Sequence, residues 1–283
     1  MAGTLYLIAT PIGNLEDISF RAVRLLGEVD VIACEDTRHS RTLLDHYHIR
    51  RPTVSYHRLN EAERGGELLD RLAAGENVAL ISDAGTPLVS DPGARLITRA
   101  AAAGVNIVPV PGASAALAAL MASGVEEPVL LAGFVPARTG ERQRWFEAWA
   151  RHPGALVVFE TPHRILASLE AMEAVFGNSR SLTLCRELTK LHEQVVRGSI
   201  AAVRAQLQVQ WTEAAPRGEF TLVVGPPQAP PPAPGEGHAP ELTLTAATTK
   251  EELKRLARQL HVPRSELYRR WQQLQGKLET DRG

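Results

Sequence analysis

Short apolar runs alternate with longer amphipathic stretches from Leu5 to Val110, and this alternation constrains the fold more than any other feature of the chain. Near-continuous Val, Ile and Leu runs of four or five residues suit strands buried on both faces, the situation of a parallel sheet covered by helices. Five strands fit: Leu5 to Ala9, Val29 to Cys34, Thr53 to Tyr56, Val78 to Ser82 and Ile107 to Val110. The stretches between them carry helical spacing, as at Leu68, Leu69 and Leu72. A second series follows, with strands expected at Val129 to Ala132, Leu156 to Phe159, Leu182 to Cys185, Gln194 to Arg197 and Phe220 to Val224.

The two series meet near Ser123-Gly124, which predicts an N-terminal α/β domain over 1–123 and a C-terminal α/β domain over 124–225. Residues 226–240 read PPQAPPPAPGEGHAP, a semi-rigid spacer. Beyond it, over 241–283, Thr249 and Glu252 make a capping box. Leu253, Leu256 and Leu260, then Leu267, Trp271 and Leu274, mark two helices of a helix-turn-helix-like hairpin. From Thr248 onward nine Lys or Arg face five acids, so a solvated helix face and an RNA-contacting module are equal readings of that tail.

Charge narrows the function. Thirty-one Lys and Arg nearly cancel thirty-two Asp and Glu, leaving a net charge of −1, so no overall positive field draws nucleic acid and any such contact needs a local patch. Arg38, His39, Arg41, His46, His48, Arg50 and Arg51 against Asp45 form one such patch; Arg138, Arg142 and Arg144 beside Trp145 and Phe146 form another. Trp145, Phe146 and Trp149 at helical spacing are more often core than a platform for bases. Cys34 and Cys185 share no ligand spacing and read as reduced, buried strand residues of a cytoplasmic protein. No apolar run reaches the length of a membrane span, and no metal-ligand set appears, so a metal-free protein without membrane contact is expected.

In open α/β sheets ligands sit beyond the carboxyl ends of the strands. Three loops there combine small residues with proline: Thr10-Pro11-Ile12-Gly13-Asn14, the run from Asp83 to Gly93, and Pro111-Gly112-Ala113-Ser114-Ala115. Ordinary tight turns use the same residue types, but three on one sheet favour a cofactor pocket. Neither GxGxxG nor GxxxxGK[ST] is present, so phosphate is not the expected guest. Stiff loops presenting backbone N–H and C=O groups suit a nucleoside with an amino-acid tail, and S-adenosylmethionine (SAM) is such a molecule.

The strings LYLIATPIGNLEDIS, VIACEDTRHS, SYHRLNE, ALISDAGTPLVSDPG, VPVPGASA and LVVFETPHRI together resemble the ribosomal RNA small subunit methyltransferase I family, within the SAM-dependent tetrapyrrole-methylase-like superfamily. The resemblance runs from Gly3 to Gly225 and departs at the proline-rich spacer. It implies two α/β domains of the tetrapyrrole methylase fold, SAM in the interdomain cleft, a homodimer, and 2′-O-methylation of a cytidine in bacterial 16S rRNA or the 30S subunit. By motif position the cofactor would be lined by Pro11, Ile12, Asp83, Ala84, Gly85, Leu88, Ser114 and Ala115, with Phe134, Glu160 and Leu188 from the second domain.

A sulfonium methyl is already activated, so alignment and water exclusion carry most of the rate. A base near the weakly acidic 2′-hydroxyl adds about 10²- to 10⁴-fold. Asp36 or Asp83 is the expected proton handler, with Arg38 as charge stabiliser or phosphate contact, although an acid after a strand also serves as a helix cap. Two rivals remain. One is a methyltransferase acting on a tetrapyrrole. The other is a DNA-binding regulator whose tail hairpin reads a groove while the α/β body senses a ligand.

Overall fold

The computed structural model of the chain describes residues 2–126, 128–211, 216–227 and 271. The spacer from residue 228 and the tail hairpin expected over 241–283, apart from Trp271, lie outside the described residues. Residues 1–228 cluster as one compact unit built on two five-stranded sheets.

The first sheet is wholly parallel. It holds β1 (Thr4–Ile8), β2 (Val31–Cys34), β3 (Thr53–Ser55), β4 (Val78–Ile81) and β5 (Asn106–Val110) in the order β3-β2-β4-β1-β5. β2 and β4 are buried on both faces, as their unbroken apolar runs require, and the side chains divide with period two. Ile8, Ile32, Cys34, Ala79 and Ile81 pack under α1 (Phe20–Glu28) and α2 (Thr37–His46) through Ala22, Leu25, Leu26 and Leu44. Leu5, Val31, Ala33, Val78 and Leu80 pack on the other face under α3 (Glu61–Ala73) and α4 (Ala94–Ala102) through Leu68, Leu72, Leu96 and Ala100.

The second sheet is mixed. It holds β6 (Val129–Phe134), β7 (Ala155–Glu160), β8 (Ser181–Arg186), β9 (Gln194–Ser199) and β10 (Phe220–Val224) in the order β6-β7-β10-β8-β9, and only β6 and β7 run parallel. The connection between β8 and β9 is too short for a crossover helix, so those strands pair antiparallel. One face packs on α6 (Thr139–Trp149), α7 (Ile165–Phe176) and α8 (Ile200–Gln210); the other meets α5 (Ala115–Ser123) through Ala116 and Ala119.

All ten expected strands form, with ends shifted by at most two residues. Cys34 and Cys185 are buried, unbridged strand residues, and burial pushes the Cys185 thiol up to about 11. On α6 the reading of Trp145, Phe146 and Trp149 as core holds, and that of Arg142 as part of a basic surface patch does not. Phe146 is fully buried, with Trp145 and Trp149 packed against its cluster, and Arg142 is buried too, donating to Ser168 Oγ (3.3 Å) and Thr139 Oγ1 (3.3 Å). This helix turns those groups inward because its apolar stripe must cover β7 and α7, which leaves the patch without its central arginine.

Leu222, at the centre of β10, has no exposure, whereas Leu59 is 95% exposed. Leu222→Ala is expected to cost about 2–5 kcal/mol in urea unfolding, and Leu59→Ala less than about 0.5 kcal/mol.

Candidate functional site

The site is built where the loops after β1, β4 and β5 are tied together. Thr10 N donates to Gly85 O (2.9 Å) and Gly85 N donates to Thr10 O (3.0 Å), so the first two loops form a two-bond bridge. Thr10 Oγ1 donates to Ser82 O (3.1 Å), and Thr86 Oγ1 donates to Ala113 O (3.2 Å), which brings in the third loop. Gly85 sits at φ +78°, and a Cβ there would lie 3.2 Å from Ile12 Cγ2 and 3.7 Å from Ala113 O. Glycine is therefore required by conformation and by the approach of two loops. This revises the expectation that Gly85 presents its backbone to a ligand: both of its polar main-chain groups are spent on Thr10.

The second sheet supplies the opposite wall. A bulge in β6 carries Gly133 at φ +82° and turns Phe134 toward the cleft, where its ring lies 5.3 Å from that of Phe159. The loop after β8 reaches back over the first sheet, placing the Lys190 side chain where a Cβ on Gly13 would go. Lys190 is fixed there by ion pairs to Glu187 (3.0 Å) and Glu219 (2.9 Å).

Between these walls lies a cleft of about 380 Å³. Of the residues expected to hold a cofactor, Ile12, Asp83, Ala84, Gly85, Ser114 and Ala115 line it from the first sheet. Phe134, Glu160 and Leu188 line it from the second. Pro11 and Leu88 are not on its wall. Pro11 faces a neighbouring cavity, and Leu88, in the left-handed region at φ +73°, packs its Cδ2 toward Gly93 beside Leu80. Ser114 caps α5 by accepting from Leu117 N (3.4 Å), so the positive end of that helix opens on the cleft.

The lining carries Asp83, Asp91, Glu160 and Glu219 and, among the described residues, no Lys, Arg or His. These acids differ in what they are free to do. Glu160 is buried, and its Oε1 accepts from Thr161 N (2.7 Å), Arg164 Nε (3.0 Å) and Arg164 Nη2 (2.8 Å) while Oε2 accepts from Ser168 Oγ. Its carboxylate is saturated by its own loop, which it holds in shape. Asp36 lies off the cleft wall as the N-cap of α2, accepting from Arg38 N (2.8 Å) and pairing with the Arg38 side chain (3.3 Å). Those bonds hold its carboxyl below the usual range, and the Arg38 side chain is 91% exposed. Asp83 Oδ1 accepts from Asp36 N (3.1 Å), and Asp83 lines the cleft.

Asp91 is the acid that motif reading passed over. Burial, with Glu35 and Asp83 nearby, pushes it up to about 6. It stood inside the quoted string SDAGTPLVSDPG, and a second acid after a glycine-rich loop was the available signal. Among the described residues no group of three or more His, Cys, Asp or Glu side chains is placed to hold a metal ion.

The family model of tetrapyrrole (corrin/porphyrin) methylases matches residues 4–204. The ribosomal RNA small subunit methyltransferase I of Synechocystis sp. is 42% identical over 99% of each chain. That of Mesorhizobium japonicum is 49% identical over 80% of this chain and 76% of its own. Among solved structures, diphthine synthase superposes with a TM-score of 0.60 at 16% identity, covering 79% of this chain and 90% of that one. The uroporphyrin-III-C-methyltransferase of Thermus thermophilus superposes at 0.55 with 22% identity, covering 79% and 94%.

An aspartate whose folded value lies above its unfolded one, about 3.9, is penalised as it ionises. Its cost to stability grows as pH rises from about 4 to about 6 and then stays constant. Discounted for its partial exposure to solvent, the cost is about 1 kcal/mol. Asp91→Asn should therefore unfold later than the parent in urea at pH 8, by that amount, with the difference vanishing toward pH 4.

Proposed function

The chain belongs to the tetrapyrrole methylase family, and from that membership we propose that it transfers a methyl group from SAM to small-subunit ribosomal RNA, at the 2′-hydroxyl of a cytidine ribose. The observation that carries this reading is the cleft: tied at its base by the Thr10–Gly85 bridge and lined by acids without a single basic side chain among the described residues. Such a wall repels phosphate and suits a molecule carrying a positive sulfur and an ammonium group.

The residues present fit SAM. About 380 Å³ is within the range of small-molecule sites. Asp83 and Asp91 face the positive groups, and the N-terminus of α5 at Ser114 and Ala115 receives the carboxylate of the amino-acid tail. Phe134, exposed over half its surface, offers an aromatic face to the adenine with Ile12 and Leu188 around it. When bound, SAM supplies an electrophilic methyl whose bonding pair stays with sulfur. Asp83 orients the ribose hydroxyl and takes its proton as the new O–C bond forms, while Asp36 holds Asp83 through its N–H and Arg38 remains at the surface for a phosphate.

Relatives at 42–49% identity carry the small-subunit name, whereas the tetrapyrrole-acting neighbours share the fold at about one-fifth identity. This separates the proposal from the tetrapyrrole rival. The regulator rival rests on the tail, outside the described residues. Action on ribosomal RNA or the assembled 30S subunit places the protein in the cytoplasm, and no helix among the described residues is long and apolar enough to cross a membrane. A homodimer is part of the same reading. It is supported by α5, apolar on every side, which buries Ala116 and Ala119 yet leaves Leu117 61% and Met121 84% exposed.

Two experiments test this. Labelled SAM incubated with small subunits from cells lacking the enzyme should mark one cytidine ribose, and Asp83→Asn should lower kcat about 10²-fold while weakening SAM binding by no more than about tenfold by calorimetry. Label on a base, or none, overturns the reading. Met121→Glu should halve the mass seen in analytical ultracentrifugation.

A further inference from the structure

On the far side of Asp83 lies a second cavity, of about 350 Å³, that the cofactor reading leaves unused. Its walls come from the loop after β1, through Pro11 and Leu15, from the end of β4, through Ser82 and Asp83, and from α2, through Ser40 and Thr42. Asp83 stands on the wall of both cavities, so ligands occupying the two would meet at one residue.

A second, independent observation concerns Ser40. It is 3% exposed, lies on the cavity wall, and its hydroxyl has the Cys34 thiol as a weak partner and no stronger hydrogen bond. A buried hydroxyl left so poorly paired is costly. The other hydroxyls at this end of the sheet are committed: Thr10 Oγ1 to Ser82 O, and Ser82 Oγ to Gly85 O (3.0 Å). Ser40 is thus a donor and acceptor held ready inside an enclosed wall. On the same helix Arg38 and His39 are exposed, His39 on the cavity wall itself, while Arg41 faces a separate cavity with Thr37 and Asp45.

We infer that this cavity receives the acceptor: one RNA nucleoside swung out of its stack, its base against Leu43 and hydrogen-bonded by Ser40, its ribose hydroxyl at Asp83, and a flanking phosphate at Arg38. The inference rests on the methyl-transfer reading above and adds to it the pocket that selects the nucleoside. Extrusion of the target nucleotide into a fitted pocket is the general solution where the reacting atom is inaccessible in a stacked strand. Ser40 is then a positioning residue, reading an edge of the base without touching the reacting atoms.

The test uses the full-length protein, small subunits lacking the modification, and tritiated SAM. Ser40→Ala should raise KM for the subunits about 5- to 10-fold with kcat within about twofold, the loss of one buried hydrogen bond. Thr42 is exposed on the cavity rim, so Thr42→Trp obstructs the mouth without burying bulk, and kcat/KM should fall at least about 100-fold. Both variants should keep parental SAM affinity by calorimetry, and Thr42→Trp should lose filter binding of a small-subunit RNA fragment. Parental KM and kcat in both variants would overturn the inference, as would loss of SAM affinity together with transfer, which would assign the cavity to the cofactor. Failure of the methyl-transfer reading itself shows separately, as absence of transfer by the unsubstituted protein.

Discussion

The pair of hydrogen bonds between Thr10 and Gly85 fixes the geometry on which the rest of the site depends. Each loop leaves the sheet at the carboxyl end of its own strand, and β1 and β4 are parallel neighbours, so the two loops meet just past the last ladder position in a separate antiparallel bridge. Ser82 and Thr86 hydroxyls add side-chain ties to the same loops, and Thr86 reaches the loop after β5. The result is a cleft floor formed before any ligand arrives. Binding then needs little ordering of the chain, which preserves interaction energy for affinity and alignment.

Charge separates two surfaces that lie close together. The cleft wall is acidic, while the exposed side of α2 and the segment following it hold Arg38, Arg41, Arg50 and Arg51. Part of that basic charge is internally neutralised, since Arg38 pairs with Asp36 and Arg50 with Asp45. Such exposed pairs are worth little and exchange readily for a phosphate partner. A protein with a net charge of −1 can therefore present a local anion-binding strip beside a cation-binding cleft.

The strands were legible because burial on both faces demands unbroken β-branched and leucine runs, a pattern that helices do not share. The loops were legible for a related reason: glycine and proline at strand ends constrain the backbone whatever the tertiary context. What sequence could not show was which polar groups were already spent. Glu160 reads as a ligand contact, yet its carboxylate is consumed by Thr161, Arg164 and Ser168. Arg142 reads as surface charge, yet it is buried beside Ser168. Ser40 and Asp91 gave the converse error. A serine one turn into a helix and an aspartate before a proline are common turn chemistry, and only folding shows one hydroxyl poorly paired and one carboxyl desolvated.

The roles of the three aspartates follow from that accounting. Asp36 has both oxygens engaged by Arg38, and the downward shift of its carboxyl makes it a weak proton acceptor. Asp91 sits in the cleft wall with the opposite shift, so a cation arriving there would offset the penalty on its charge, and that relief would add to binding. Asp83 lies between them. It is held by the Asp36 N–H on one oxygen and borders both cavities, which makes it the carboxylate able to face a donor on one side and an acceptor on the other. A helix cap, a ligand-tuned charge and a shared wall thus arise from acids carried by two short motifs, because the β2 and β4 ends that present them are hydrogen-bonded neighbours.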